Sequence, residues 1–272
     1  MFECVLNISE GRDVVVLDAL ERAAGSSLRD RHSDAVHHRS VFTLINEPRE
    51  LVRDVRQLIT LSFEHLDLSR HAGVHPRFGV VDVVPFVALV PEQRRDACVL
   101  RDETARWIVR DFAVPVFLYG PRDNSTERTL PQVRREAFVT LAPDDGPLVA
   151  SPALGAVAVG CRDVLVAWNL WLSGVTFEQA RELAAAVRQT FVRALAFRVG
   201  DEVQVSCNLL KIDEVRTSAV YDRVQSLLPL GGAIEHAELV GLAPRALLEA
   251  EEPSRWEQLG LTVRATIEAR ID

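Results

Sequence analysis

Short β-branched runs alternate along this chain with longer stretches in which apolar residues recur every three or four positions. Residues 4–8 predict a strand that breaks at Glu10-Gly11-Arg12, and Asp13 then predicts the N-cap of a helix carrying Val14, Leu17, Leu20 and Ala24 on one face. Residues 41–45 form a second β-rich run, after which Pro48 opens a helix with Leu51, Val55, Leu58 and Phe63 near helical spacing. A long β-branched run over 80–90 leads through Pro91 into a helix over about 92–112, and residues 114–119 read as a strand. From 120 to 160 the composition shifts to Pro, Gly, Asp and Ser with no sustained period, which predicts a functional or disordered stretch.

The second half opens at Asp163. Residues 164–172 predict a strand, and Thr176-Phe177-Glu178-Gln179 has the form of a capping box for a helix running to Phe191. A strand over 203–209, a helix over 219–228, a short strand around Leu239-Val240 and an alternating terminal strand over 261–271 complete the pattern. Short strands with one-sided alternation favour an α+β fold over a doubly wound parallel one. The expected architecture is two ferredoxin-like αβ sandwich subdomains, 1–162 and 163–272, packed with a cleft between them. Neither GxGxxG after a strand nor GxxxxGK[ST] is present, so a nucleotide cofactor has no support.

The 272 residues include 31 basic and 39 acidic side chains, a formal charge of −8, which argues against a general nucleic-acid or anionic-membrane partner. Hydrophobic content of 48% is that of an ordinary globular chain. No secretory leader is visible, and no uncharged run reaches the roughly 20 apolar residues of a spanning helix. Cys4, Cys98, Cys161 and Cys207 lack CxxC spacing and read as reduced thiols of a cytoplasmic protein. Two counts stand out. Lys211 is the one lysine, so anionic groups meet guanidinium forks here, and six of seven histidines fall between His32 and His75.

Those histidines sit in two polar segments. One is Asp30-Arg31-His32-Ser33-Asp34 with His37-His38-Arg39, and the other is Arg70-His71-Ala72-Gly73-Val74-His75-Pro76-Arg77-Phe78-Gly79. The glycines and Pro76 suit a stiff loop that holds His75 beside Arg77, an arrangement fit for proton transfer on an anionic substrate. A histidine next to proline also serves as a plain hydrogen-bonding loop residue. Asp30, His32, Asp34, His37, His38, His71 and His75 include metal-ligand types, and although HExxH is absent a metal reading stays open at this point.

Six motifs stand in order along the chain. Residues 3–12 resemble ECVPNxSEGR, and 30–43 resemble D-x-H-S-D-P-D-H-N-R-S-V-F-T. Residues 70–86 resemble R-H-x-G-E-H-P-R-x-G-x-x-D-V-x-P-F, and 114–120 are similar to VPVYLYG. Residues 155–162 match G-A-x-A-V-G-x-R, while Gln204-Val205-Ser206, Asn208-Leu209 and 238–244 carry the likeness into the second half.

In these motifs the chain resembles the glutamate formimidoyltransferase (formiminotransferase) family, and the resemblance implies transfer of a formimino group from N-formimino-L-glutamate to N5 of tetrahydrofolate, with release of glutamate. It implies His75 as general acid/base, and Asn7, Ser9, Arg39 and Arg77 as substrate-binding residues. Arg162 is a further guanidinium for glutamyl carboxylates. The folate-binding stretch falls on Gly146, Pro147, Leu148, Val149, Ala150, Ser151, Pro152, Ala153, Leu154 and Gly155. Tetrahydrofolate is the co-substrate, no metal is required, and a homodimer is expected. His32, His37, His38 and His71 are neighbours of His75 on this reading, and His65 is structural.

Four positions depart from the pattern. Leu6 replaces a proline, His38 an asparagine and Val74 a glutamate, and the second-half TPLH falls on Val215-Arg216-Thr217-Ser218. The alternative these departures raise is a non-catalytic folate- or glutamate-binding paralogue. The chain ends at Asp272, so the cyclodeaminase domain fused in some relatives is expected to be absent.

Overall fold

A computed structural model describes residues 1–74, 76–122 and 125–271. The chain divides into two compact units, Met1–Asp163 and Val164–Asp272. The first begins with β1 (Phe2–Ile8), α1 (Val14–Ala23), β2 (Leu28–Asp34), β3 (Arg39–Asn46), α2 (Pro48–His65) and β4 (Val81–Ala88). These strands stand in the order β2-β3-β1-β4 with every pair antiparallel, which is the ferredoxin-like arrangement. Asp13 caps α1 as expected, its carboxylate accepting from the Val15 and Val16 N–H groups. Leu17, Leu20 and Ala24 are buried, whereas Val14 points to solvent.

The unit then extends through α3 (Arg94–Phe112), β5 (Val116–Arg122), β6 (Ser125–Arg128), α4 (Leu130–Glu136) and β7 (Val157–Cys161) into a seven-stranded sheet, β2-β3-β1-β4-β7-β5-β6. The stretch over 120–160 is therefore not irregular throughout: it holds β6, α4 and the buried strand β7, which lies parallel to both β4 and β5. Its composition hid β7 because Val157-Ala158-Val159-Gly160-Cys161 is short and small-residued. Gly160 is required there, since a Cβ would stand 2.0 Å from Cζ of Tyr119. One face of this sheet, with Phe2, Cys4, Leu6, Ile8, Phe42 and Phe86, packs in the main core with α2 and α3 residues such as Leu58 and Ile108. Glu3, Val5 and Asn7 alternate onto the opposite face.

The second unit is β8 (Val166–Ser173), α5 (Phe177–Val187), β9 (Val192–Val199), β10 (Glu202–Leu209), α6 (Thr217–Leu227) and β11 (Ala233–Val240), again with the antiparallel order β11-β8-β10-β9. It ends in α7 (Arg245–Glu249) and α8 (Ile267–Ile271). The capping box at Thr176 and Gln179 is formed. However, α5 stops at Val187, not Phe191, because Arg188 turns to extended backbone and the chain enters β9, an edge strand whose Arg193 and Arg198 obscured its period.

The terminal strand expected over 261–271 is also corrected. Leu261 and Ile267 are buried, but the segment between them is a 3₁₀ turn, Val263–Ala265, followed by α8. Its contact with strand-like backbone is a single bridge between Thr266 and Ala243. The helix formers Glu268, Ala269 and Arg270, with Thr266 Oγ1 accepting from the Ala269 N–H, explain the helical ending. Among the described residues no helix is long and apolar enough to cross a membrane.

Candidate active site

Four segments far apart in sequence meet at one end of the first unit's sheet. After β1, Ser9 donates from its hydroxyl to the Gly79 carbonyl (2.8 Å) and from its N–H to Val80 (2.8 Å). Gly11 then passes so close to the β2–β3 turn that a Cβ would meet the Asp34 carbonyl at 2.2 Å. Gly73 lies equally close to that turn, with His37 O 2.4 Å from its virtual Cβ. The turn and the 70s segment are thus held together by backbone approaches that only glycine permits.

Residues 146–155 join the same assembly. Leu68 donates its N–H to the Ala153 carbonyl (2.7 Å), Val80 donates to Leu154 (2.9 Å) and Ala156 donates to Phe78 (2.8 Å). Gly155 has φ +75° and closes on Ser151 through paired N–H···O bonds of 2.7 and 3.0 Å. Leu148 and Val149 at the loop tip are each 75% exposed. The segment 68–80 is therefore bonded near both ends to residues 153–156. His75 itself lies outside the described residues.

A charged network surrounds this junction. One oxygen of Glu10 accepts from the N–H groups of Gly11, Arg12 and Asp13 at 2.6–3.0 Å and meets His38 Nε2 at 3.1 Å. Burial works against ionising Glu10, but these donors and the His38 charge outweigh it and hold the carboxyl below its ordinary range. His38 takes a left-handed backbone (φ +51°), and its Nδ1 faces the Ala72 carbonyl at 2.9 Å. Both ring nitrogens of His38 thus face an oxygen.

His71 stacks on His38 with centroids 3.9 Å apart and places Nε2 2.7 Å from the His38 carbonyl. Burial, with the charges of His38 and Arg77, lowers the His71 value, so the neutral ring donates from Nε2 and keeps a lone pair on Nδ1. Asp34 accepts from the Val36 and His37 N–H groups and from His37 Nδ1 (2.9 Å). Burial opposes ionisation there too, yet the His37 contacts bring Asp34 down to about 2.

The guanidiniums gather around Asp82, which is buried at the start of β4. Arg134 forms a fork with it at 2.5 and 3.3 Å, and Asp82 also accepts from the Phe78 N–H (2.9 Å). Arg39 is pushed down to about 10 by burial, with Arg134 adding to the effect and Asp82 and Asp34 opposing it. Arg77 donates to the carbonyls of His71 and Gly73, so it braces the loop. Arg12, Arg39, Arg77 and Arg134 thus stand in one network with the carboxylates of Glu10, Asp34 and Asp82.

Arg134 was not foreseen, because it sits inside the stretch read as irregular. The signal was there in Thr129-Leu130-Pro131, an N-cap with an early proline. Asn7 is buried and donates to the Val5 carbonyl. His32 lies on β2, and His65 is exposed at the end of α2, away from this network. Among the described residues no three of His, Cys, Asp and Glu are grouped to hold a metal ion.

Arg162 stands elsewhere on the sheet, at the end of β7, where its charge acts on Glu3. Glu3 is 3% exposed, and burial raises its carboxyl from 4.5 to about 7, with Arg162 opposing. Between those values the folded protein holds a proton that the unfolded chain lacks. The stability this neutral carboxyl contributes is complete below about pH 4.5 and is lost as the pH rises through 7. Glu3→Gln is expected to lose less stability than wild type between pH 5 and 8 in urea titrations, and parallel curves would contradict the assignment.

In the second unit, Glu238 on β11 accepts from Asn169 Nδ2 (3.1 Å) and Trp171 Nε1 (3.0 Å) of β8. Thr217, in the position of the departed TPLH, is buried and donates to Glu251 (2.8 Å), so that segment serves as a helix anchor.

Comparison with known proteins places the chain among relatives of one kind. Residues 1–162 match the family model described as formiminotransferase domain, N-terminal subdomain. Over 273 residues the chain is 31% identical to a glutamate formimidoyltransferase of Streptococcus pyogenes serotype M1, covering 92% of this chain and 91% of that protein. It is 32% identical to a glutamate formimidoyltransferase of Thermoplasma acidophilum over 91% and 89% of the two chains. A formimidoyltransferase-cyclodeaminase of Gallus gallus is 32% identical, with 93% of this chain covering 52% of that longer protein.

Proposed function

This chain belongs to the formiminotransferase family, and from that premise we propose that it moves the formimino group of N-formimino-L-glutamate to N5 of tetrahydrofolate. The observation that supports this most is the backbone bonding of segment 68–80 to residues 153–156, which joins the family's proton-transfer loop to its folate stretch. Tetrahydrofolate is a substrate here, and no step calls for a metal.

In the reaction, the N5 lone pair attacks the formimino carbon and forms a C–N bond. His75 takes the N5 proton and delivers it to the glutamate nitrogen, and the bond from that nitrogen to the former formimino carbon then breaks to release L-glutamate. The glutamyl carboxylates pair with Arg39 and Arg77, with Asn7 and Ser9 on the neighbouring end of β1, and residues 146–155 hold the folate. The protein acts as a cytoplasmic homodimer on this reading. The four free cysteines favour a reducing compartment, and the homodimer follows from the family resemblance.

Mixing formiminoglutamate, tetrahydrofolate and the protein tests the reading: 5-formiminotetrahydrofolate is the expected product, and folate binding without product would support a non-catalytic paralogue instead. Removing one charged partner of a carboxylate costs about 1.5–3 kcal/mol. Arg39→Ala and Arg77→Ala are therefore each expected to raise KM for formiminoglutamate about tenfold or more. Unchanged KM in steady-state assays would remove both from the substrate site.

A further inference from the structure

The proposed mechanism uses none of the cysteines, yet two of them stand together. Cys98 on α3 and Cys161, the last residue of β7, have their Sγ atoms 2.9 Å apart and share a thiol hydrogen bond. Both are free thiols. They are 63 positions apart in the chain and meet because α3 packs across the sheet over β7. Only a small movement separates this approach from a bond of about 2.05 Å.

Two arginines stand beside the pair. Arg94 and Arg101 flank Cys98 one helical turn to either side. The charge of Arg101 acts on both thiols, and that of Arg94 acts on Cys161. Arg101 is itself buried and pinned by Asp102 and by the carbonyls of Tyr119 and Pro121, so its charge cannot swing away. Against those charges, burial and the Cys98 thiol hold Cys161 well above the ordinary thiol range, so what suits the pair to disulfide exchange is the 2.9 Å approach of the two sulfurs.

Access differs among the four cysteines. Cys98 is partly exposed, whereas Cys4, Cys161 and Cys207 are buried. Burial pushes the Cys207 thiol up to about 12 and raises Cys4 and Cys161 well above the ordinary range, so Cys98 meets a reagent first and Cys161 follows through its contact with Cys98.

We propose that Cys98 and Cys161 form a covalent modification site that low-molecular-weight disulfides oxidise to an intramolecular bond. The Cys98 thiolate attacks one sulfur of the reagent and expels its other half as a thiolate. Cys161, giving up its proton, then displaces the second half. Two protein thiols are oxidised, one reagent disulfide is reduced to two thiols, and no other co-reactant enters. The new bond fastens α3 to β7 at the residue before Arg162.

The test uses the whole native protein and glutathione disulfide. After incubation, unfolding and alkylation, two of the original four thiols remain, and peptide mapping joins Cys98 to Cys161 in a link that dithiothreitol reverses. Cys161→Ser halts at a glutathione adduct on Cys98, and Cys98→Ser keeps its three thiols. Four thiols remaining in treated wild type, or a map pairing other cysteines, overturns the proposal, and that mapping needs no substituted protein.

Discussion

His75→Ala is expected to lower formimino transfer by about 10²–10⁴-fold, the usual contribution of a positioned acid/base, while folate binding measured by calorimetry stays within a factor of a few. The split follows from where the groups belong. Residues 153–156, beside or in the stretch proposed to hold folate, make their bonds to the 68–80 segment through backbone atoms of Leu68, Phe78 and Val80, none of which the substitution touches. In the proposed mechanism, proton movement from N5 to the leaving nitrogen depends on the His75 ring. The effect should therefore fall on kcat, with KM for tetrahydrofolate little changed. Equal turnover by the variant would take His75 out of the chemistry, and joint loss of folate binding and turnover would make its role structural.

The second large effect is expected at Gly155. Its φ of +75° is costly for any residue with a Cβ, and an alanine Cβ would stand 2.2 Å from the Phe78 carbonyl and 2.7 Å from Gly79 Cα. A left-handed residue costs about 1–2 kcal/mol, and overpacking against fixed backbone adds about 1–3 kcal/mol. Gly155→Ala should thus destabilise the first unit by ~3 kcal/mol. At about 2–4 °C per kcal/mol for a unit of this size, the melting midpoint falls on the order of 10 °C, which calorimetry reads directly. The variant that still folds should bind folate poorly, since the strain sits where residues 151–155 join the 68–80 segment. An unaltered midpoint would show that the two backbones are not held this closely.

The parts of the fold legible in the sequence are those with local signals. Asp13, Pro48 and the Thr176 capping box announce their helices because a cap needs one side chain and the adjacent backbone. β2 and β7 were hidden for opposite reasons. Edge strand β2, Leu-Arg-Asp-Arg-His-Ser-Asp, is polar because Arg31 reaches Asp18 and Glu21 on α1 and the rest borders the site. β7 is buried on both faces but built of small residues. The closing segment alternated without a partner strand to pair with, so local helix preference decided it.

The motifs of the site were readable as residue types, but their meeting was not. Gly11, Gly73, Gly79 and Gly155 look like ordinary loop glycines until backbone from another segment is found where a Cβ would be. Arg134 entered the cluster through its fork to Asp82, a pairing across 52 positions that no local pattern encodes. His38 shows the same limit from the other side. As a departure from the family's asparagine it looked like a loss, yet it bridges Glu10 and the Ala72 carbonyl and stacks on His71.

Following the carbon itself tests the account most directly. With N-formimino-L-glutamate labelled with ¹³C in the formimino carbon and one equivalent of tetrahydrofolate, the label should leave the glutamate nitrogen and appear on N5 in the carbon NMR spectrum, one L-glutamate being released for each labelled folate. A label that stays on the glutamate derivative while tetrahydrofolate remains bound would contradict it.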